Sequence, residues 1–226
     1  MTQREEPEHL GAFVVIEGID GSGSTTQAQR LVAALEAAGT PALFTCEPSS
    51  GAVGALIREA LAHRLRDPGG DAVALDWVTL ALLFAADRAD HVHRTVLPEL
   101  RRGRWVVSDR YDLSSLAYQS VTSGSAADVL PWITALNSKV PRPDLTIVVD
   151  VTAATAARRR HARGTDAELF EVPQIQERLA AVYRDAGTLV PGDRVVHVDG
   201  EQDIERVAAD VWAAARRLAQ SRESRS

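Results

Sequence analysis

Short apolar runs alternate along this chain with longer stretches whose apolar residues recur at steps of three and four. Phe13-Val14-Val15-Ile16 is the first run and predicts a buried strand. Gln27–Ala38 then predicts a helix with Leu31, Ala34, Leu35 and Ala38 on one face, stopped at Gly39. Pro41–Thr45 reads as a second strand, running into Cys46-Glu47-Pro48 and a loop at Ser49-Ser50-Gly51. Val53–Leu65 is helical by the phase of Val53, Leu56, Ile57, Ala60 and Leu61. The break Asp67-Pro68-Gly69-Gly70-Asp71 precedes a long helix over Val73–His93, and a further helical turn starts near Pro98 and ends at Gly103. Arg104–Ser108 is a strand that delivers Asp109-Arg110-Tyr111. Leu113–Val121 and Ala126–Leu136 are helices, with Pro131 setting a start or a kink in the second. Leu145–Asp150 is continuously apolar up to its aspartate, the pattern of a strand covered on both faces. Thr152 caps a helix that runs to Arg163 and stops at Gly164; a helix resumes over Glu171–Ala186. Arg194–Asp199 is the last strand, and Asp203 caps a final amphipathic helix carrying Ile204, Val207, Val211, Trp212 and Leu218.

Strands alternating with helices predict an α/β fold: a parallel five-stranded sheet with helices on both faces. Ligands in such sheets bind beyond the carboxyl ends of the strands. Four informative clusters fall there: Gly18–Thr26, Cys46–Pro48, Asp109–Tyr111, and Asp150 with the residues just after it. At 226 residues, 45% of them hydrophobic, one domain over residues 11–220 is expected, with polar tails at 1–10 and 221–226. A net charge of −6 argues against a nucleic-acid partner, and no apolar run approaches the length of a membrane span. The single cysteine, Cys46, rules out an intrachain disulfide and a cysteine-based metal cluster. A soluble, cytoplasmic protein is expected.

The stretch Gly18-Ile19-Asp20-Gly21-Ser22-Gly23-Ser24-Thr25-Thr26 carries the chemistry. It stands between a strand and a helix, with the spacing of the P-loop, G-x-x-x-x-G-K-S/T. Backbone N–H groups in such a turn point at phosphate, and the helix N-terminus adds partial positive charge. Thr25 is placed to offer its hydroxyl to Mg²⁺, but Ser24 occupies the lysine position. A second, metal-facing carboxylate belongs at the end of a neighbouring strand; Asp109 fits, and Asp150 competes. Arg110 beside Asp109 is a natural phosphate ligand, because its planar fork matches phosphate oxygens.

With Phe13–Gly23, Glu47-Pro48, Leu82–Arg88, Ser108–Tyr111, Leu113–Gln119 and Pro143–Val151 in this order, the chain resembles the thymidylate kinases across nearly its whole length. Those enzymes phosphorylate dTMP to dTDP with ATP. The resemblance implies that Gly18–Thr26 hold ATP and that Thr25 and Asp109 hold the Mg²⁺ shell. It implies that Phe84 lies on the thymine ring and that Arg88, four residues on, bonds the base. Asp20 would take the deoxyribose 3′-hydroxyl, Arg110 the acceptor phosphate, and Glu47 would sit near that phosphate or its metal. Ser115 and Tyr118 would face base and sugar, joined by Gln119. A short lid over Arg163–Glu171 would close on the phosphates, with Arg163 the first candidate for a catalytic cation and Arg159 the second. A homodimer is also implied.

Three positions depart from the family's pattern: Ser24 for the P-loop lysine, Cys46 for an arginine before Glu-Pro, and Leu169 for a lid arginine. Each removes a positive charge where several negative ones must gather. Two alternatives to a dTMP kinase therefore stand: a nucleotide-binding relative that acts through partners, and a kinase for another pyrimidine nucleotide such as dUMP. One methyl group separates dUMP from dTMP, worth only ~1–3 kcal/mol of discrimination.

Overall fold

A computed structural model describes residues 11–163 and 169–224, Arg163 by its backbone alone. The expected tail at 1–10 and most of the expected lid lie outside the described residues. The five strands β1 (Phe13–Glu17), β2 (Ala42–Cys46), β3 (Trp105–Asp109), β4 (Leu145–Asp150) and β5 (Val195–Asp199) form one sheet in the order β2-β3-β1-β4-β5. Every pairing is parallel. The helices are α1 (Ser24–Ala37), α2 (Ala52–Leu61), α3 (Trp77–His91), α4 (Leu97–Arg101), α5 (Asp112–Thr122), α6 (Ala126–Leu136), α7 (Ala153–Arg163), α8 (Pro173–Arg184), α9 (Ala186–Leu189) and α10 (Ile204–Glu223).

The period of two along β1 builds both layers. Val14 and Ile16 join Leu31 and Leu35 of α1 and Val207 and Val211 of α10 on one face. Phe13 and Val15 pack on the other face against Val96, Leu100 and Tyr111. A third cluster gathers α2, α3, α5, α6 and α8 beside Val148 of β4. Each fully buried side chain of this kind contributes about 1.5–3 kcal/mol. Because β1 lies between β3 and β4, the loop after it emerges at the centre of the sheet's carboxyl edge.

Helix boundaries shift where a cap overrides apolar phase. The helix expected from Val73 starts at Trp77, where the Asp76 carboxylate accepts from Thr79 N at 2.7 Å. Helix α2 ends at Leu61 rather than Leu65; His63, at φ 56°, leaves helical geometry, and Arg66 and Ala72 bridge in antiparallel fashion. The chain does not break between α3 and α4 but passes through a π turn at Val92–Val96, with Pro98 in the first turn of α4. Pro131 lies inside α6 and does not start it. The helix expected over Glu171–Ala186 begins at Pro173 and gives way to α9 after Arg184. Helix α10 continues to Glu223, beyond the expected tail boundary at Ser221, because Arg222 bonds Asp144 Oδ1 and Gly11 O, both at 3.0 Å.

Candidate active site

The turn from β1 into α1 is a cradle of unspent donors. Ser22 N bonds Ile19 O at 2.9 Å, and the first helical bond is Gln27 N to Gly23 O at 3.0 Å. Among the described residues nothing accepts from the N–H groups of Gly21, Gly23, Thr25 or Thr26. Together with the helix dipole they form an anion site. Gly21 has φ +93°, and a Cβ there would stand 2.5 Å from Ala156 O of α7. Glycine is thus required twice, by the backbone angle and by the approach of α7.

On the sheet side of the cradle, Thr25 Oγ1 donates to Asp109 Oδ2 at 2.5 Å, while Asp109 Oδ1 is buried with no partner among the described residues. A hydroxyl and an under-coordinated carboxylate suit a Mg²⁺ that keeps waters and phosphate oxygens as its other ligands, and the open N–H groups suit those phosphate oxygens. Asp150, the competing carboxylate, is instead engaged by His197 Nδ1 at 2.8 Å. The next residue after Asp109, Arg110, adopts φ 73°. That left-handed conformation costs a non-glycine residue about 1–2 kcal/mol. Bonds from Arg110 N to Ile16 O (2.9 Å) and from Ser108 Oγ to Arg110 O (2.8 Å) hold it. The result aims the guanidinium at the cleft, where Nη2 donates to Asp20 Oδ1 at 2.6 Å and Nη1 to Ser114 Oγ at 3.2 Å.

Asp20 joins the cradle to a second, deeper pocket. Its Oδ2 accepts from Tyr118 Oη at 2.9 Å and from Gln176 Nε2 at 3.1 Å. The pocket encloses about 540 Å³, open mouth included. Asp20, Glu47, Phe84, Arg88, Arg110, Ser115, Tyr118 and Gln119 all line it, so the expected acceptor residues converge on one cavity. Gln119 Oε1 is buried there without a partner among the described residues.

Arg88 is 1% exposed and almost fully committed. Nε donates to Glu47 Oε2 (2.9 Å), Nη1 to Asn137 Oδ1 (2.6 Å), and Nη2 to Tyr111 O and Ser115 Oγ, both at 3.0 Å. Glu47 is therefore no solvated loop carboxylate; it is buried between Arg88 and His91, whose Nδ1 lies 3.2 Å from Oε1. The Glu47–Pro48 peptide is cis.

Behind Arg110, Glu17 is wholly buried and accepts from Tyr111 N, Ser114 N, Ser114 Oγ and Tyr183 Oη. Burial pushes its carboxyl up to about 7, against the pull of the Arg110 charge and the Ser114, Tyr111 and Tyr183 donors. Burial likewise raises the Tyr118 phenol well above its usual range, so it stays a donor to Asp20.

The protein-family description "Thymidylate kinase" matches residues 16–211. The chain belongs to the thymidylate kinase family. It is 39% identical over 203 residues to a "Probable thymidylate kinase" of Pyrococcus abyssi, covering 90% of this chain and 95% of that one. It is 40% identical over 208 residues to a "Probable thymidylate kinase" of Pyrobaculum aerophilum, covering 92% and 97%. With a "Thymidylate kinase" of Symbiobacterium thermophilum it shares 35% identity over 202 residues, covering 89% and 91%.

The arginines of α7 divide by their partners. Arg159, expected to be catalytic, spends Nη1 on Ser22 O (2.9 Å) and Nη2 on Gly200 O (2.7 Å), which ties the cradle's outer side to the turn after β5. The side chain of Arg163 lies outside the described residues. The motifs of the sequence left several site residues unnamed. Phe170 lines the pocket and meets Tyr118 edge-on at 5.1 Å between ring centroids. Asp87 is 1% exposed and fixes Ser49 through its N–H (2.7 Å) and hydroxyl (2.6 Å). Gln176 bonds both Asp20 and Phe170 O, and Arg160 reaches Asp20 O. Glu17 did carry a signal, a carboxylate ending an apolar strand. Gln176 carried none, since polar residues are ordinary on an amphipathic helix.

Proposed function

We propose that this protein transfers the γ-phosphoryl group of ATP to the 5′-phosphate of dTMP, giving dTDP and ADP. The supporting observation is the single bridge at Asp20: one carboxylate contacts the donor-side loop through its backbone and the acceptor pocket through Arg110 and Tyr118. Donor and acceptor sites thus share a wall. The donor's phosphates rest on the loop Gly18–Thr26, against the open N–H groups of Gly21, Gly23, Thr25 and Thr26, and Arg110 receives the acceptor's phosphate. Phe84 stacks on the pyrimidine, Arg88 and Gln119 read its edge, and Asp20 with Tyr118 orients the sugar. Thr25 and Asp109 hold Mg²⁺, which neutralises phosphate charge when bound. The acceptor phosphate oxygen is itself the nucleophile, so positioning and charge neutralisation do the work.

No described helix is long and apolar enough to cross a membrane. Leu56 of α2 with Val78 and Leu82 of α3 are large exposed apolar residues on neighbouring helices, and they support a homodimer built on that face. A cytoplasmic location suits both nucleotides.

The test is a coupled ADP-release assay with ATP, Mg²⁺ and each of dTMP, dUMP, dCMP, dGMP and dAMP. dTMP should give the highest kcat/KM. Binding of ATP and dTMP in calorimetry without turnover would instead favour the nucleotide-binding relative that Ser24 raises.

A further inference from the structure

Ser24 leaves the cradle without a cation of its own. It is 6% exposed, and its N–H lies 3.3 Å from Ser22 Oγ. A hydroxyl at this position supplies no charge. The negative charge gathered by two nucleotides must still be balanced during transfer.

Two guanidinium groups approach the loop from α7. They act on particular peptide units. Arg160 Nη1 donates to Asp20 O, the carbonyl of the peptide whose N–H belongs to Gly21. Arg159 Nη1 donates to Ser22 O, the carbonyl of the peptide whose N–H belongs to Gly23. Both N–H groups are among those left open in the cradle. A cation on a carbonyl polarises its peptide and strengthens the N–H on the other side. Positive charge therefore enters the cradle through its backbone.

The two arginines differ in what they have left. Arg159 uses both terminal nitrogens on carbonyls, so it is a clamp. Arg160 uses Nη1 on Asp20 O, with Gln176 Oε1 at 3.5 Å, and its Nε stands 3.6 Å from Glu171 Oε1. Its Nη2 has no partner among the described residues. The side chain is only 11% exposed, and its Cγ would lie 3.1 Å from a Cβ on Gly21. A half-committed guanidinium thus sits at the turn where the donor cradle meets the acceptor pocket. Arg158, two residues earlier, bonds Thr155 Oγ1 instead of the loop.

We propose that Arg160 supplies the positive charge that the loop lacks at Ser24, through the Asp20–Gly21 peptide and through its Nη2, unpartnered among the described residues, on the donor's phosphates. The inference rests on the dTMP kinase reading. In the transfer the acceptor phosphate oxygen bonds to the γ-phosphorus as the bond from that phosphorus to the β–γ bridging oxygen breaks. The bridging oxygen leaves with the electron pair on ADP. Arg160 offsets the charge that grows on that oxygen and on the γ-phosphoryl group.

The experiment is a double-mutant cycle with Arg160→Met and Ser24→Lys, read as kcat and KM for ATP and dTMP, with thermal denaturation and ATP calorimetry on each variant. Arg160→Met should lower kcat by about 10²–10³-fold. The KM for dTMP should stay within about threefold, since Arg160 does not line the acceptor pocket. Ser24→Lys should restore at least tenfold of the loss in the Arg160→Met background, and its effect on kcat in the wild-type background should be at least tenfold smaller than that rescue. Arg158→Met, which removes the same charge two residues away, should leave kcat within about threefold. A clamp without an electrostatic role would show lost stability and no rescue by a lysine, which would overturn the proposal. So would equal effects of Ser24→Lys in both backgrounds, or an Arg160→Met variant that keeps wild-type kcat. Those results leave the kinase reading standing, because the wild type still turns over. A wild type inactive toward every acceptor overturns both.

Discussion

Replacing Glu17 by glutamine should change how stability depends on pH, in a direction set by burial. Glu17 ends β1 with no solvent exposure and with Tyr111 N at 2.8 Å, Ser114 N at 3.2 Å, Ser114 Oγ at 2.6 Å and Tyr183 Oη at 3.0 Å around its carboxylate. Its pKa rises from 4.5 to about 7, burial outweighing the Arg110 charge and the donors. The folded protein therefore holds this proton more tightly than the unfolded chain. Below pH 4.5 both states keep it and Glu17 costs nothing. Between 4.5 and about 7 the unfolded chain releases the proton first, so the free energy of unfolding falls as pH rises. Above that window the cost is complete, at most about 3 kcal/mol from 1.36 kcal/mol per tenfold change in proton activity. Glutamine has nothing to titrate. Its carbonyl still accepts from the two backbone N–H groups, and its NH₂ can donate to the Ser114 or Tyr183 hydroxyl. Urea unfolding of both proteins at pH 5, 6, 7 and 8 measures the effect. Other titrating groups cancel in the difference, which should grow in favour of Glu17→Gln by up to about 3 kcal/mol between pH 5 and 8. A gap that stays constant, or one that shrinks with pH, would show that the carboxylate is stabilised where it lies and would refute the reasoning.

Arg88→Met should destabilise the fold by about 3–5 kcal/mol, because it strands Glu47 as a buried charge beside His91 and frees Asn137 and Tyr111 O; a loss under about 1 kcal/mol in thermal unfolding would mean that the pair is not buried in solution. Phe84→Ala should raise the KM for dTMP by about 10–100-fold, the worth of one stacked base, while the KM for ATP holds. An equal rise in both would show that Phe84 serves the fold rather than the acceptor pocket. Gly21→Ala forces a Cβ to 2.5 Å from Ala156 O at φ +93°, so α7 must move; calorimetry should register at least a tenfold loss of ATP affinity, and retained affinity would mean that α7 is not docked on the loop.

The sheet was legible because five apolar runs of strand length are separated by helical periodicities, a pattern with few parallel-sheet alternatives. The acceptor pocket was legible for a different reason: Phe84 and Arg88 share a helix face, Ser115, Tyr118 and Gln119 lie one turn apart on another helix, and all five line one cavity. What the sequence hid are contacts between elements far apart in the chain. Glu17 and Tyr183 are 166 residues apart, Asp20 and Gln176 are 156 apart, and no local pattern encodes either pair. Helix ends were hidden too, since a single cap such as Asp76 outweighs apolar phase over several residues.

The same distinction explains why the loop's serine does not by itself argue for lost function. A motif reads charge along the chain, and by that count the cradle is one cation short. A phosphate reads charge through space, where α7 lays two guanidinium groups on the outer carbonyls of the loop. Gly21 is what lets α7 come that close, because any Cβ there would meet Ala156 O. The close approach is therefore a condition for moving the charge off the loop. A P-loop that carries its own lysine has no such need for an arginine at Asp20 O. On this account Ser24, Gly21 and Arg160 form one arrangement: a substitution at any of the three changes what the other two are worth, which independent sites do not do.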